Sequence, residues 1–82
     1  MVMGELKFNI EEHMAVLSTS AKGWTKALKR VSWNGAPSKL DIREWSPNCA
    51  TLSKGITLTD AEAFELYKAL NTYFKEKVEN GE

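Results

Sequence analysis

Residues 39–45, Lys-Leu-Asp-Ile-Arg-Glu-Trp, alternate without interruption, so an extended chain puts Leu40 and Ile42 on one side and Asp41, Arg43 and Trp45 on the other. Such a strand needs a sheet with two different surroundings, one aliphatic and one built from charge and ring. Around this strand the punctuation is that of hairpins. Asn34-Gly35 supplies the positive φ that a tight primed turn demands, and Pro37 suits a turn better than a strand centre.

Upstream, Trp24 to Trp33 has β-favourable residues at both ends. Leu28 and Val31 fall on opposite sides of a two-residue repeat, which predicts a bulge between them. Earlier still, Leu6 to Leu17 alternates, meets Glu11 and Glu12, and resumes as Met-Ala-Val-Leu, the pattern of one long or bulged strand. Ser18 to Gly23 has the composition of the connecting turn. Downstream, Ser46-Pro47-Asn48 breaks the third strand, and Gly55 to Leu58 gives a short fourth with Ile56 and Leu58 facing one way.

Thr59-Asp60-Ala61-Glu62 then reads as a capping box, in which the Thr59 hydroxyl accepts from a helical N–H and Glu62 reaches back to the cap. The helix is expected over 60–77. Phe64, Tyr67, Leu70, Tyr73, Phe74 and Val78, with Ala63 and Leu66, cover about half its circumference, more than one sheet face needs. Leu66, Leu70, Tyr73 and Phe74 are therefore expected at a dimer interface, the alternative being a deep cradle in the chain's own sheet. The whole is one α+β domain, 1–82, of order ββββα, with its sheet over 6–58 and a tail over 79–82 expected to fray. A chain of 82 residues has a thin core, burying only about 60–65% of its unfolded surface, and association with a second copy would thicken it.

Function is constrained first by what is missing. His13 and Cys49 are the only histidine and the only cysteine, and neither has a catalytic or metal-ligand spacing. Gly23, Gly35 and Gly55 are isolated and read as turn residues, so no phosphate loop is indicated. The expectation is a binding protein with no catalytic residue, metal, cofactor or small-molecule substrate. One cysteine cannot form an internal disulfide, the N-terminal residues carry no secretory pattern, and no apolar run approaches the roughly 20 residues of a membrane span. A cytoplasmic, nucleoid-accessible location with no membrane partner is expected.

The net charge of zero conceals a gradient. Residues 20–54 carry seven cations (Lys22, Lys26, Lys29, Arg30, Lys39, Arg43, Lys54) against Asp41 and Glu44, and the flanks offset that excess. Rings lie among these cations: Trp24 near Lys22 and Lys26, Trp33 beyond Lys29 and Arg30, Trp45 beside Arg43. Indole and guanidinium planes stack on any base, at about 1–3 kcal/mol per base, while lysines follow phosphates without reading sequence. Duplex readers place a helix or ribbon in the major groove, and a helix acidic at its start and apolar over half its surface is poorly suited to that. Single-stranded nucleic acid is the favoured partner. Against this stands the ordinary fate of tryptophan as a core residue, which Trp45 is expected to escape by sharing a face with Asp41 and Arg43.

Leu-Asp-Ile-Arg-Glu-Trp at 40–45, then Lys-Gly-Ile-Thr-Leu at 54–58 and the capped helix, resembles the positive cofactor four family of transcriptional coactivators, in its small bacterial branch. That resemblance, most specific over 39–74, implies a curved four-stranded antiparallel sheet, one C-terminal helix, a homodimer and single-stranded DNA bound along the strands. Arg43 matches the arginine of the family's Asp-Ile-Arg-Glu strand, and Lys54 the lysine before its Gly-Ile-Ser-Leu-like strand, both backbone-binding cations there. Trp33 lies near the family's base-stacking aromatic. Trp45 occupies a tyrosine position, with Ser46 where the family has tryptophan.

The resulting expectation is largely sequence-independent single-stranded DNA binding by a homodimer, in transcription or DNA maintenance, through Lys22, Trp24, Lys26, Arg30, Trp33, Lys39, Arg43, Trp45 and Lys54. The alternatives are RNA on the same surface, or a protein-interaction module that uses the wide helix stripe.

Overall fold

The computed structural model describes residues 7–79. The expected strand start at Leu6 and the end of the tail, 80–82, lie outside them. Strands β1 (Phe8–Thr19), β2 (Thr25–Trp33), β3 (Lys39–Trp45) and β4 (Ile56–Leu58) precede a single helix, α1 (Asp60–Glu79). They form one antiparallel sheet in the order β1-β2-β3-β4.

Local chemistry accounts for each junction. At the β2–β3 turn Asn34 and Gly35 have φ of 52° and 80°, and the Ala36 N–H donates to the Trp33 carbonyl at 2.9 Å, the tight primed turn that the dipeptide predicts. At the helix start the Thr59 N–H donates to Glu62 Oε1 at 2.8 Å and the Glu62 N–H to Thr59 Oγ1 at 3.1 Å. The capping box is formed in both directions. Arg30 adds a strut, its Nη2 donating to Asp60 Oδ1 at 2.7 Å; this hydrogen bond raises the pKa of the guanidinium.

The bulge expected inside the second strand lies elsewhere. Pairing of β2 with β3 runs unbroken from Thr25↔Trp45 to Val31↔Lys39, whereas β1 slips against β2 at three places: Ile10/Glu12, His13/Ala15 and Val16/Ser18. Leu28 and Val31 do occupy opposite faces, and β1 absorbs the irregularity. Bulges increase twist and bend, and the bend is large. Thr25 and Trp33 at opposite ends of β2 would be about 26 Å apart on a flat strand. Trp45 is paired with Thr25, yet its ring centroid lies 6.4 Å from that of Trp33. The sheet therefore curls over the face that carries both rings.

This aromatic face holds the buried core, Ala27, Val31 and Trp45, with Phe8, Ile10, Trp33, Cys49 and Leu52 packed on it. The opposite, aliphatic face carries Leu28, Leu40, Ile42, Ile56 and Leu58, as the registers require. Helix α1 lies on that side, packs against β3 and β4, and reaches β2 through the Arg30–Asp60 ion pair. Between the helix and the sheet is an open apolar groove of about 700 Å³, with Leu28, Leu40 and Ile42 on one wall and Leu66, Leu70 and Phe74 on the other. Phe64, Leu66, Tyr67, Leu70, Tyr73 and Phe74 remain 40–59% exposed.

Candidate nucleic-acid interface

The strand β3 alternation puts Asp41, Arg43 and Trp45 on one face, as expected, but that face is curled inward. Trp45 is 0% exposed, so the expectation of a free indole at this position is overturned. Its ring meets Phe8 edge-on at 5.3 Å and Trp33 near-parallel at 6.4 Å. The β3–β4 loop closes over it. Leu52 bridges to Trp45, and Ser46 folds the loop back by donating its N–H to the Thr51 carbonyl and accepting the Thr51 N–H on Oγ. Trp45 is a core residue and presents no surface to a base. Sequence alternation identifies faces but not curvature, and curvature decided its fate.

Arg43 is held, not free. Its Nε and Nη2 donate to Asp41 Oδ1 and Oδ2 at 2.7 and 2.6 Å, and Nη1 donates to the Ser53 carbonyl at 3.2 Å. The guanidinium carbon lies 4.5 Å from the Trp33 ring centroid, a cation–π stack. Asp41 is fully buried, and the Arg43 side chain keeps 13% of its exposure. Of five N–H donors three are used, leaving two on a plane fixed by a carboxylate along its edge and a ring against its face. Gly55 completes the enclosure, since a Cβ there would overlap the Arg43 Cβ and the Ile42 carbonyl oxygen. The chain must be bare of side chain where β4 begins.

The other expected residues divide by face and by partner. Lys39 is exposed on the aromatic side, opposite Val31, and Lys54 is exposed immediately before Gly55. Trp33 is half-buried on that same side. Lys22 and Trp24 belong to the β1–β2 turn, where the Trp24 N–H donates to Ser20 Oγ and Gly23 lies against Pro47 of the β3–β4 loop. Lys26, opposite Glu44, and Arg30, bound to Asp60, lie on the aliphatic side. The basic residues of 20–54 thus do not form one patch. The sheet separates Lys26 and Arg30 from Lys39, Arg43 and Trp33.

Two residues outside the expected set share the aromatic face. Lys29 is 5% exposed, its ammonium 5.3 Å from the Trp45 centroid and 2.7 Å from His13 Nδ1. Asp41 is the carboxylate that orients Arg43. Its place two residues before Arg43 on the same side of a strand was the signal available for it, whereas Lys29 was obscured by the misplaced bulge. Among the described residues no three of His, Cys, Asp and Glu are grouped to hold a metal, and no helix is long and apolar enough to cross a membrane.

Comparison with known proteins agrees with the geometry. The model of the family described as Transcriptional Coactivator p15 (PC4) matches residues 20–69, which spans β2 to the middle of α1. A protein of Treponema pallidum (strain Nichols), itself called an uncharacterized protein, is 44% identical over 71 residues, 87% of this chain and 84% of the relative. The match covers the Arg43 strand, the Lys54–Gly55 junction and the capped helix start together, and the family is one of non-enzymatic DNA-binding proteins. This chain belongs to the Transcriptional Coactivator p15 (PC4) family.

Proposed function

We propose that the chain acts as a homodimer that binds single-stranded DNA with little regard to sequence, in transcription or DNA maintenance. The observation that carries this reading is the Asp41–Arg43–Trp33 assembly. It holds a guanidinium rigidly against an indole, with donors to spare, in a family whose activity is single-stranded DNA binding or transcriptional coactivation. Arg43, Lys39 and Lys54 would contact phosphates, and the half-buried Trp33 would offer the exposed part of its ring to a base. Lys22 and Trp24 would extend the path along the β1–β2 turn.

The apolar groove supports a second copy of the same chain as its occupant. Its walls include Leu66, Leu70 and Phe74, and it lies open on a molecule whose buried hydrophobic residues, among those described, are Ala27, Val31 and Trp45. Tyr73 is exposed on the same helix.

Fluorescence titration with oligothymidine and with duplex of equal length tests the reading. The single strand is expected to quench Trp33 and to bind far more tightly than duplex. If three phosphates are engaged, the log–log salt slope should be about −2. Equal affinity for duplex, or an affinity indifferent to salt, refutes it. Matched deoxy and ribo oligonucleotides distinguish DNA from RNA, and retention of a different protein that survives nuclease and high salt would favour the interaction-module alternative.

A further inference from the structure

We infer that Lys29 and His13 form a seat for one backbone phosphate on the aromatic face, a contact that rests on the single-strand reading above. His13, Lys29, Asp41 and Thr57 are successive partners across β1, β2, β3 and β4. One polar row therefore crosses a face otherwise packed with Ala27, Val31 and Trp45. Within that row Asp41 gives both oxygens to Arg43. Lys29, its lateral neighbour, turns the other way, toward His13, and no carboxylate of a described residue lies within ion-pair distance of it.

The charges on this face do not balance. Apart from the exposed Lys39, Lys29 and Arg43 are set against Asp41 alone, which leaves a surplus positive charge on Lys29, a residue 5% exposed. A buried ammonium without a counter-charge is held at a cost that an arriving anion removes. Donors are in place for it. The ammonium gives one N–H to His13 Nδ1 and retains two. Because Nδ1 is the acceptor, the ring's hydrogen is on Nε2, which supplies another donor. Room is in place as well. At the β1 slip between His13 and Ala15 lies a cavity of about 230 Å³, where His13 and Lys29 meet Val16 and Ala27 of the same face and Met14, Ala15 and Leu28 complete the lining.

The seat shares an aromatic stack with the Arg43 clamp. Lys29 lies over Trp45, Trp45 stacks near-parallel on Trp33, and Arg43 lies over Trp33. A polyanion can therefore engage both cations from one side of the sheet, which favours a nucleic-acid phosphate over a free ion.

Lys29→Met keeps the aliphatic stem and removes the charge. Against oligothymidine this variant is expected to bind about tenfold more weakly, with a salt slope smaller in magnitude by about 0.7. The unliganded variant should melt no lower than the parent, since it has lost an uncompensated charge; a merely structural lysine would lower melting temperature and affinity together. His13 is the single histidine, so its ring signals in NMR report the seat directly. In the parent they should shift with inorganic phosphate but not with chloride at equal ionic strength, and in Lys29→Met they should not respond to either. If the parent binds oligothymidine and Lys29→Met binds with the same affinity and slope, the seat is refuted and the single-strand reading stands. If the parent ignores oligonucleotides while His13 answers phosphate through Lys29, the seat stands as a free-anion site and the single-strand reading falls. Silence in both assays refutes both.

Discussion

Replacing Asp41 by Asn keeps shape and volume but removes the charge that faces Arg43. In the parent both carboxylate oxygens accept from the guanidinium, at 2.7 and 2.6 Å, with Asp41 fully buried and the Arg43 side chain 13% exposed. Removing one partner of a buried pair costs about 3–5 kcal/mol, whereas an exposed pair is worth only about 0.2–1 kcal/mol. Arg43 would keep the Ser53 carbonyl and the Trp33 ring, so the cost should fall near the lower end of the buried range, about 3 kcal/mol. For a domain of this size that loss lowers the melting temperature by about 12–24 °C. Urea unfolding at one fixed protein concentration, followed by tryptophan emission and far-ultraviolet dichroism, measures it. The decisive comparison is a cycle with Arg43→Met. The double variant should be more stable than Asp41→Asn alone, because the unpaired guanidinium is then gone and an apolar stem still packs on Trp33. A loss below about 1 kcal/mol, or single-variant losses that simply add, would show that the pair does not hold the clamp.

Two further outcomes follow from where the structure places the expected site residues. With Trp24 and Trp33 both changed to Phe, the emission of Trp45 should be blue-shifted and unresponsive to oligothymidine, and Trp45→Ala should destabilise the fold by about 3–5 kcal/mol; quenching by oligothymidine would return Trp45 to the binding surface. Arg30→Ala should leave oligothymidine affinity within about twofold of the parent, since Arg30 is on the helix side and bound to Asp60, while Lys54→Ala should weaken binding about tenfold at low salt. Equal losses from the two variants would mean that both faces meet the nucleic acid.

The order of elements was legible because each carries its own short-range signal. The Lys39–Trp45 alternation, the Asn34-Gly35 turn and the Thr59–Glu62 box all act within a few residues, and all three are realised. What the sequence left open depends on relations between strands. The phase break at Leu28 and Val31 looks like a bulge in β2 when one strand is considered alone, but the neighbouring β1 carries the slips instead. Those slips curl the sheet, and the curl turned the Asp41–Arg43–Trp45 side from a surface into a core. The same long-range geometry set Lys26 and Arg30 apart from Lys39 and Arg43, since strand alternation divides charges that look contiguous along the chain. Arg43 and Trp33 were both legible as candidate residues. Their contact was not, because it joins positions that a flat sheet would keep far apart.

The two faces differ in how they are completed, and this separates the proposed binding from the proposed association. The aromatic face closes on itself through Ala27, Val31, Trp45 and the β3–β4 loop, without help from α1. The aliphatic face leaves Leu70 and Phe74 46% and 58% exposed across an open groove. A charge placed there, Leu70→Glu, should therefore break the proposed dimer in sedimentation velocity while leaving the Asp41–Arg43–Trp33 clamp assembled. On an oligothymidine long enough for one protomer, the variant should bind within a few-fold of the parent. On one long enough to reach both, it should lose the gain from linked sites, about 10²–10⁴-fold where the spacing lets both engage. An equal loss on short and long strands would mean that the clamp needs the second copy to form, and that the aromatic face is not self-supporting.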